Sequence, residues 1–174
     1  MTRIRATLSA AVCVLLGAVL TTGCGVPSTG VLTGGEPASG VPTGMRVYFA
    51  SDEGLRGVSR PTVEIRDLSS AIKLLIAGPD AAELATGLVT LVYVEGEFHT
   101  AVDAGRITLT MPRAHSENPP GQATGQIVCT LSRAESVLRG TRPDAVQVTI
   151  TTSDGTAGPY QCPQFLTNRA PIRR

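Results

Sequence analysis

The 174 residues contain no tryptophan, and phenylalanine and tyrosine occur three times each. A core must therefore be packed from Val, Leu, Ile and Ala, and a broad platform of aromatic rings for stacking on sugars is disfavoured. Lysine occurs once, as Lys73, so every other basic residue is arginine. With 15 basic against 14 acidic residues the formal charge is +1, which offers no general electrostatic pull toward nucleic acid. The sequence has no Walker loop, no G-x-S-x-G elbow, no H-E-x-x-H and no C-x-x-C. The signatures of P-loop nucleotide binding, of elbow-type serine hydrolysis, of zinc proteolysis and of dithiol exchange are thus missing. A long membrane-spanning run is missing too. The apolar stretch from Ala6 to Leu20, interrupted by Thr7, Ser9 and Gly17, covers 15 positions, short of the ~20 that a spanning helix needs.

That short stretch is nevertheless the most informative part of the chain. Arg3 and Arg5 precede it, and it closes in Leu20-Thr21-Thr22-Gly23-Cys24. A basic start, a short apolar centre and small residues at a cut make a secretory leader. Thr22, Gly23 and Cys24 resemble the lipobox of bacterial lipoproteins, although Thr21 stands where that pattern has an aliphatic residue. The resemblance implies cleavage before Cys24, a diacylglyceryl group on its thiol, and further acylation of the new amino terminus. Each buried CH₂ of such chains contributes about 0.8 kcal/mol, and two or more chains hold where one only visits. The alternative is a secreted protein cut nearby, with Cys24 as a free thiol. Loss of residues 1–23 leaves 151, one domain plus a linker, with 13 basic and 14 acidic residues and so a formal charge of −1.

The four cysteines are Cys13 in the leader, Cys24, Cys129 and Cys162. In an exported chain the last two form an even pair, and a disulfide closing the 32 residues between them contributes about 3–4 kcal/mol by loop-entropy reasoning. The other reading is a buried free Cys129 with Cys162 in a loose tail. Neither cysteine has a His or a second Cys at zinc-ligand spacing, so no metal is expected there.

Residues 25–44 (GVPSTGVLTGGEPASGVPTG) are rich in Gly, Pro, Ser and Thr without apolar period, which predicts a flexible tether after Cys24. A domain is expected over residues 45–152. Arg46 to Ala50 is β-prone and ends in the turn signal Asp52-Glu53-Gly54, with Leu55 to Arg60 as a return strand. Leu68, Ala71, Ile72 and Leu75 fall at i, i+3, i+4 and i+7, with Asp67 or Ser69 as the cap and Gly78-Pro79 as the stop. A short turn of helix over Ala81 to Ala85 follows. The apolar run Leu88 to Val94 reads as a buried strand. Phe98 to Asp103, a turn, and Ile107 to Met111 read as a hairpin with Ile107, Leu109 and Met111 inward. A second amphipathic helix is expected from Gln122 to Val137, with Ala123, Ile127, Thr130, Leu131 and Ala134 on one side. Val146, Val148 and Ile150 alternate as a further strand. Residues 153–174 are expected to cross the domain, be bonded through Cys162, and fray at the end. The fold class is therefore α+β, a single small domain of βαββαβ order with two helices on one face of a mixed or antiparallel sheet.

The strand Val47-Tyr48-Phe49, the helix ending Leu74-Leu75-Ile76-Ala77-Gly78-Pro79, Glu83, Gly87-Leu88, Ile107 to Met111, and Gln126 to Leu131 together resemble GerMN-domain lipoproteins over residues 46–152. The leader followed by Cys-Gly-Val-Pro-Ser is similar to actinobacterial members. Membership implies a βαββαβ domain serving envelope or sporulation complexes and related to ring-building modules, with no catalytic residues and no cofactor to carry over.

Few residues invite chemistry. Glu95, Glu97, His99 and Asp103 lie at even spacing and on one strand would share a face, a divalent-cation possibility that a solvated sheet face explains equally. His115 stands in a polar loop, and Ser116 and Glu117 beside it do not make a triad, whose members converge from separate supported elements. Tyr48 and Tyr160 are candidates for a cleft wall or for ordinary rim positions. Arg169, Arg173 and Arg174 form a small basic end, a candidate contact for anionic lipid that reads more simply as solvated. Two function classes follow. The first is a non-enzymatic, membrane-anchored binding or scaffold domain with an envelope protein partner or self-association. The second is an extracytoplasmic small-ligand or metal-binding lipoprotein.

Overall fold

The β-prone stretch after Gly44 folds back on itself at Asp52-Glu53, where the Ser51 hydroxyl donates to the Gly54 carbonyl at 2.8 Å and accepts from the Glu53 N–H at 3.3 Å. The resulting antiparallel hairpin, β1 (Met45–Ser51) and β2 (Gly54–Arg60), sets Met45 opposite Arg60 and Ser51 opposite Gly54. The structure is a computed structural model and describes residues 44–112 and 120–166. The leader, Cys24, the tether up to residue 43, the loop residues His115, Ser116 and Glu117, and the basic end Arg169, Arg173 and Arg174 lie outside the described residues.

The helix after Asp67 forms as its pattern predicts. In α1 (Leu68–Ala77) the four buried residues are Leu68, Ala71, Ile72 and Leu75. Asp67 accepts the Ser70 N–H at 2.7 Å, and Gly78 ends the helix. The short α2 (Ala81–Ala85) opens on a capping box in which Asp80 and Glu83 satisfy each other's backbone N–H.

A second sheet has the order β3 (His99–Asp103), β4 (Arg106–Thr110), β5 (Gln147–Thr152) and β6 (Gly155–Tyr160). β3 and β4 join through Ala104 and Gly105, both at positive φ, as a two-residue hairpin turn with the right twist requires. β4 runs parallel to β5, and the connection between them carries α3 (Gln122–Arg139). Ile107, Leu109 and Met111 on one side of the β4 segment, and Val146, Val148 and Ile150 around β5, all point inward as alternation predicts. A last turn, α4 (Pro163–Leu166), buries Phe165.

The class is α+β, as expected. The described elements run ββααββαββα, and the strands divide into sheets of two and four instead of one sheet. Two stretches account for the difference. Leu88 to Val94 enters no sheet beyond one bridge between Val89 and Ala50, and residues 155–160, read from sequence as a crossing segment, pair with β5 as a fourth strand.

Helix α3 lies between these parts and packs on β1, on α1 and on β5. It is buried nearly all round, the mark of a core helix. The packing is tight at Gly125, where a Cβ would sit 2.8 Å from Leu55 Cδ1 and 2.9 Å from the Phe165 side chain. No larger residue fits there unless the Leu55 or Phe165 side chain gives way.

Candidate functional site: a groove at the start of helix α3

Every fourth residue at the start of α3 is polar, and this stripe faces the edge of β1 that β2 leaves open. Gln122 Nε2 donates to the Ser51 carbonyl at 3.3 Å, and Gln126 Nε2 donates to the carbonyls of Tyr48 and Val89 at 3.3 and 3.0 Å. Thr130 Oγ1 accepts the Tyr48 N–H at 3.1 Å, and Arg133 donates twice to the Gly44 carbonyl, at 3.1 and 2.8 Å. The helix thus does along β1 what another strand would do, and it meets the backbone groups a sheet edge otherwise exposes. Gln126 also accepts the Leu91 N–H at 2.8 Å. It therefore fixes the chain just after the Ala50–Val89 bridge, whose two hydrogen bonds are both 2.9 Å.

Beyond that point the chain leaves the hairpin, and a groove of about 190 Å³ opens. Leu91, Val92 and Tyr93 make one wall, and Ala123, Thr124 and Ile127 of α3 with Ile150 of β5 make the floor. The other wall is Thr152, Asp154, residues 155–157 and Tyr160, from the β5–β6 hairpin. Tyr160 is held edge-on against Phe165, ring centres 5.8 Å apart. The disulfide between Cys129 and Cys162, Cα atoms 4.6 Å apart, ties the segment after β6 to the middle of α3. The pairing expected from the cysteine count is thus present, and both half-cystines are buried. Leu91 at 38% exposure and Tyr93 at 66% stand open to solvent at the rim. Asp154 is the one charged residue lining the groove among the described residues, and no His, Cys, Lys or Arg lines it there. Such a lining suits the holding of an apolar group better than proton transfer.

Of the residues singled out from sequence, Tyr160 lines the groove. Tyr48 does not, and its backbone is engaged by α3 instead. Glu95, Glu97, His99 and Asp103 do not converge. His99 and Asp103 are exposed on β3, but Glu95 and Glu97 precede the strand and flank Gly96, whose φ of 87° breaks the alternation. Among the described residues no group of three or more His, Cys, Asp or Glu is placed to hold a metal ion. The residues that reasoning from sequence missed are Leu91, Tyr93 and Asp154. The first two lie in the apolar run Leu88 to Val94, whose composition points to a buried strand, and Ser153-Asp154-Gly155 carries a turn signal that marks a hairpin rim.

The strongest electrostatic feature lies elsewhere. Arg60 at the end of β2 makes a bidentate pair with Glu83, at 2.5 and 2.7 Å, and its guanidinium lies 5.7 Å from the centre of the Phe49 ring. The hydrogen bond from Arg60 holds the Glu83 carboxyl below the ordinary carboxylate range, helped by the Asp80 N–H and opposed by partial burial. This pair fastens α2 to the hairpin. On α3 the buried Glu135 pairs with Arg139 one turn on.

Among the described residues no helix is long and apolar enough to cross a membrane. No family model, no curated protein and no solved structure matches this chain.

Proposed function

We propose that this protein is a lipoprotein anchored through Cys24 to the outer face of the cell membrane. In this reading its GerMN-like domain is a non-enzymatic binding or scaffold module of cell-envelope complexes, sporulation included. The membrane is one partner, through the lipid, and an envelope protein or a second copy of the chain is the other. Nucleic acid is not a partner. The observation that carries this reading is the groove beside α3: an apolar floor, exposed Leu91 and Tyr93, and, among the described residues, no grouping of acid, base and nucleophile along its lining. The buried disulfide supports an oxidising compartment outside the cytoplasm. The basic leader ending in Thr22-Gly23-Cys24 supports the anchor.

Two measurements test it. Intact-protein mass spectrometry of the native chain is expected to find acyl mass on a mature terminus at Cys24, and Cys24→Ser to move the protein into the aqueous phase of a detergent split. A photo-crosslinking residue at position 93 is expected to capture an envelope protein in living cells, whereas one on exposed Glu64 is not. Full-length soluble protein without acyl mass, or equal capture from both positions, overturns the corresponding half. The second reading, a small-ligand or metal-binding lipoprotein, keeps the groove but loses the acidic constellation on which its metal half stood.

A further inference from the structure

Drug-sized ligands occupy pockets of roughly 300–1,000 Å³. At about 190 Å³ the groove falls below that range. It has the capacity for one side chain, and its rim has the composition of a protein contact: an exposed tyrosine and leucine around a covered apolar floor. Its far wall is β6, the last strand of its sheet, whose outer edge has no strand partner among the described residues. Residues 155–157 of that edge are exposed, and the bulge and proline that would stop another strand come only at Gly158-Pro159. The single charge along the lining among the described residues is the carboxylate of Asp154, at the tip of the β5–β6 hairpin. An open edge, one apolar socket and one acid with no basic residue beside it on the described lining define a ligand by its chemistry: an extended chain carrying an apolar residue and a nearby cation.

Resting on the binding reading above, we propose that the groove receives one apolar side chain of an extended segment in a partner protein. A Lys or Arg of that segment meets Asp154, and its backbone runs along residues 155–157 of β6. Leu91 and Tyr93 close over the inserted side chain from the opposite wall. The lone acid gives orientation and selects against acidic segments, while the socket and the strand edge give affinity.

The test uses the full-length chain and three pools of fluorescent nonapeptides in a Thr/Val/Gly background, read by anisotropy. The first pool carries Leu or Phe with Arg or Lys within two positions, the second replaces the basic residue by Glu, and the third replaces the apolar residue by Ser. The first pool is expected to bind about tenfold tighter than either other, a step of about 1.4 kcal/mol. Asp154→Arg is expected to invert the order of the first two pools. Ala157→Phe, at an exposed position that narrows the groove, is expected to remove the distinction between the first and third. N-methylation of alternate peptide bonds is expected to weaken the first pool as well. Equal binding of all pools, an unchanged order in Asp154→Arg, or competition by benzylammonium as strong as that of the peptides overturns the inference. Should the residue-93 crosslink still capture an envelope protein while the pools fail to separate, this inference falls and the binding reading stands. If both fail, both fall.

Discussion

The two flanks of α3 treat a sheet edge in opposite ways. On one, the outer edge of β1 is closed by Gln122, Gln126, Thr130 and Arg133, which meet the backbone of residues 44, 48 and 51. On the other, β6 ends its sheet with no strand beyond it among the described residues, and only a bulge and Pro159 interrupt its edge. The closed flank joins elements far apart in sequence and its polar groups are shielded, so its hydrogen bonds are costly to lose. The open flank contributes little to the core and borders the groove. If the groove binds as proposed, stability and recognition are divided between the two sides of one helix.

The largest expected effect comes from releasing the staple that holds the open flank to α3. Cys129→Ala with Cys162→Ala, which removes the link across a sequence separation of 33, is expected to cost about 3–4 kcal/mol in urea unfolding. Amide exchange is expected to quicken first in β6 and α4, while β1 remains protected. Uniform quickening would erase the division.

Next comes the closed flank itself. Gln126→Leu keeps the volume but strips partners from the Leu91 N–H and from the carbonyls of Tyr48 and Val89. A loss of about 2–3 kcal/mol is expected, with exchange quickening at residues 89–91 and β1. A change under about 0.5 kcal/mol would mean that the stripe is incidental.

The Arg60–Glu83 pair is expected to matter less, roughly 1 kcal/mol, since its side chains keep 20% and 15% of their surface in water. Its pH dependence has a definite sign. Glu83 has a depressed value in the folded chain, so its contribution is complete above the ordinary unfolded glutamate value and is lost as the pH falls through the lower folded value. Glu83→Gln should therefore flatten that part of the acid limb of a stability profile. A limb that keeps its shape would assign acid sensitivity to other carboxylates.

The smallest effect on stability belongs to the groove rim. Tyr93→Ala is expected to change the unfolding free energy by less than about 0.5 kcal/mol while weakening peptide binding several-fold. A large loss of stability would place Tyr93 with the core instead.

Much of this was legible in the sequence where local pattern and burial agree. The stripe Leu68, Ala71, Ile72 and Leu75 returned as the four buried positions of α1, and the alternation at Ile107 and Leu109 returned as the inner face of β4. The pairing of Cys129 with Cys162 followed from setting aside Cys13 in the expected leader and Cys24 as the candidate lipid site, which leaves two. The run Leu88 to Val94 misled because apolarity alone does not say what supplies the backbone partners. Two residues after Val89 the Leu91 N–H goes to a glutamine side chain 35 positions away, and no strand forms beyond the single bridge. The β6 sequence Gly-Thr-Ala-Gly-Pro-Tyr has poor strand propensity, so its pairing with β5 shows only in three dimensions. Yet the polar spacing Gln122, Gln126, Thr130 on an otherwise buried helix was visible, and such a stripe marks a helix with backbone to satisfy. The groove itself lay beyond sequence, since its walls come from residues 91–93 and 152–160.

Those walls belong to segments that share no ladder: residues 91–93 hang from the hairpin side, and residues 152–160 belong to the four-stranded sheet. Anything seated between them acts as a wedge gripped by both, so occupancy should slow breathing in the hairpin and in the larger sheet together. A guest held on one side alone would quiet one and leave the other as it was.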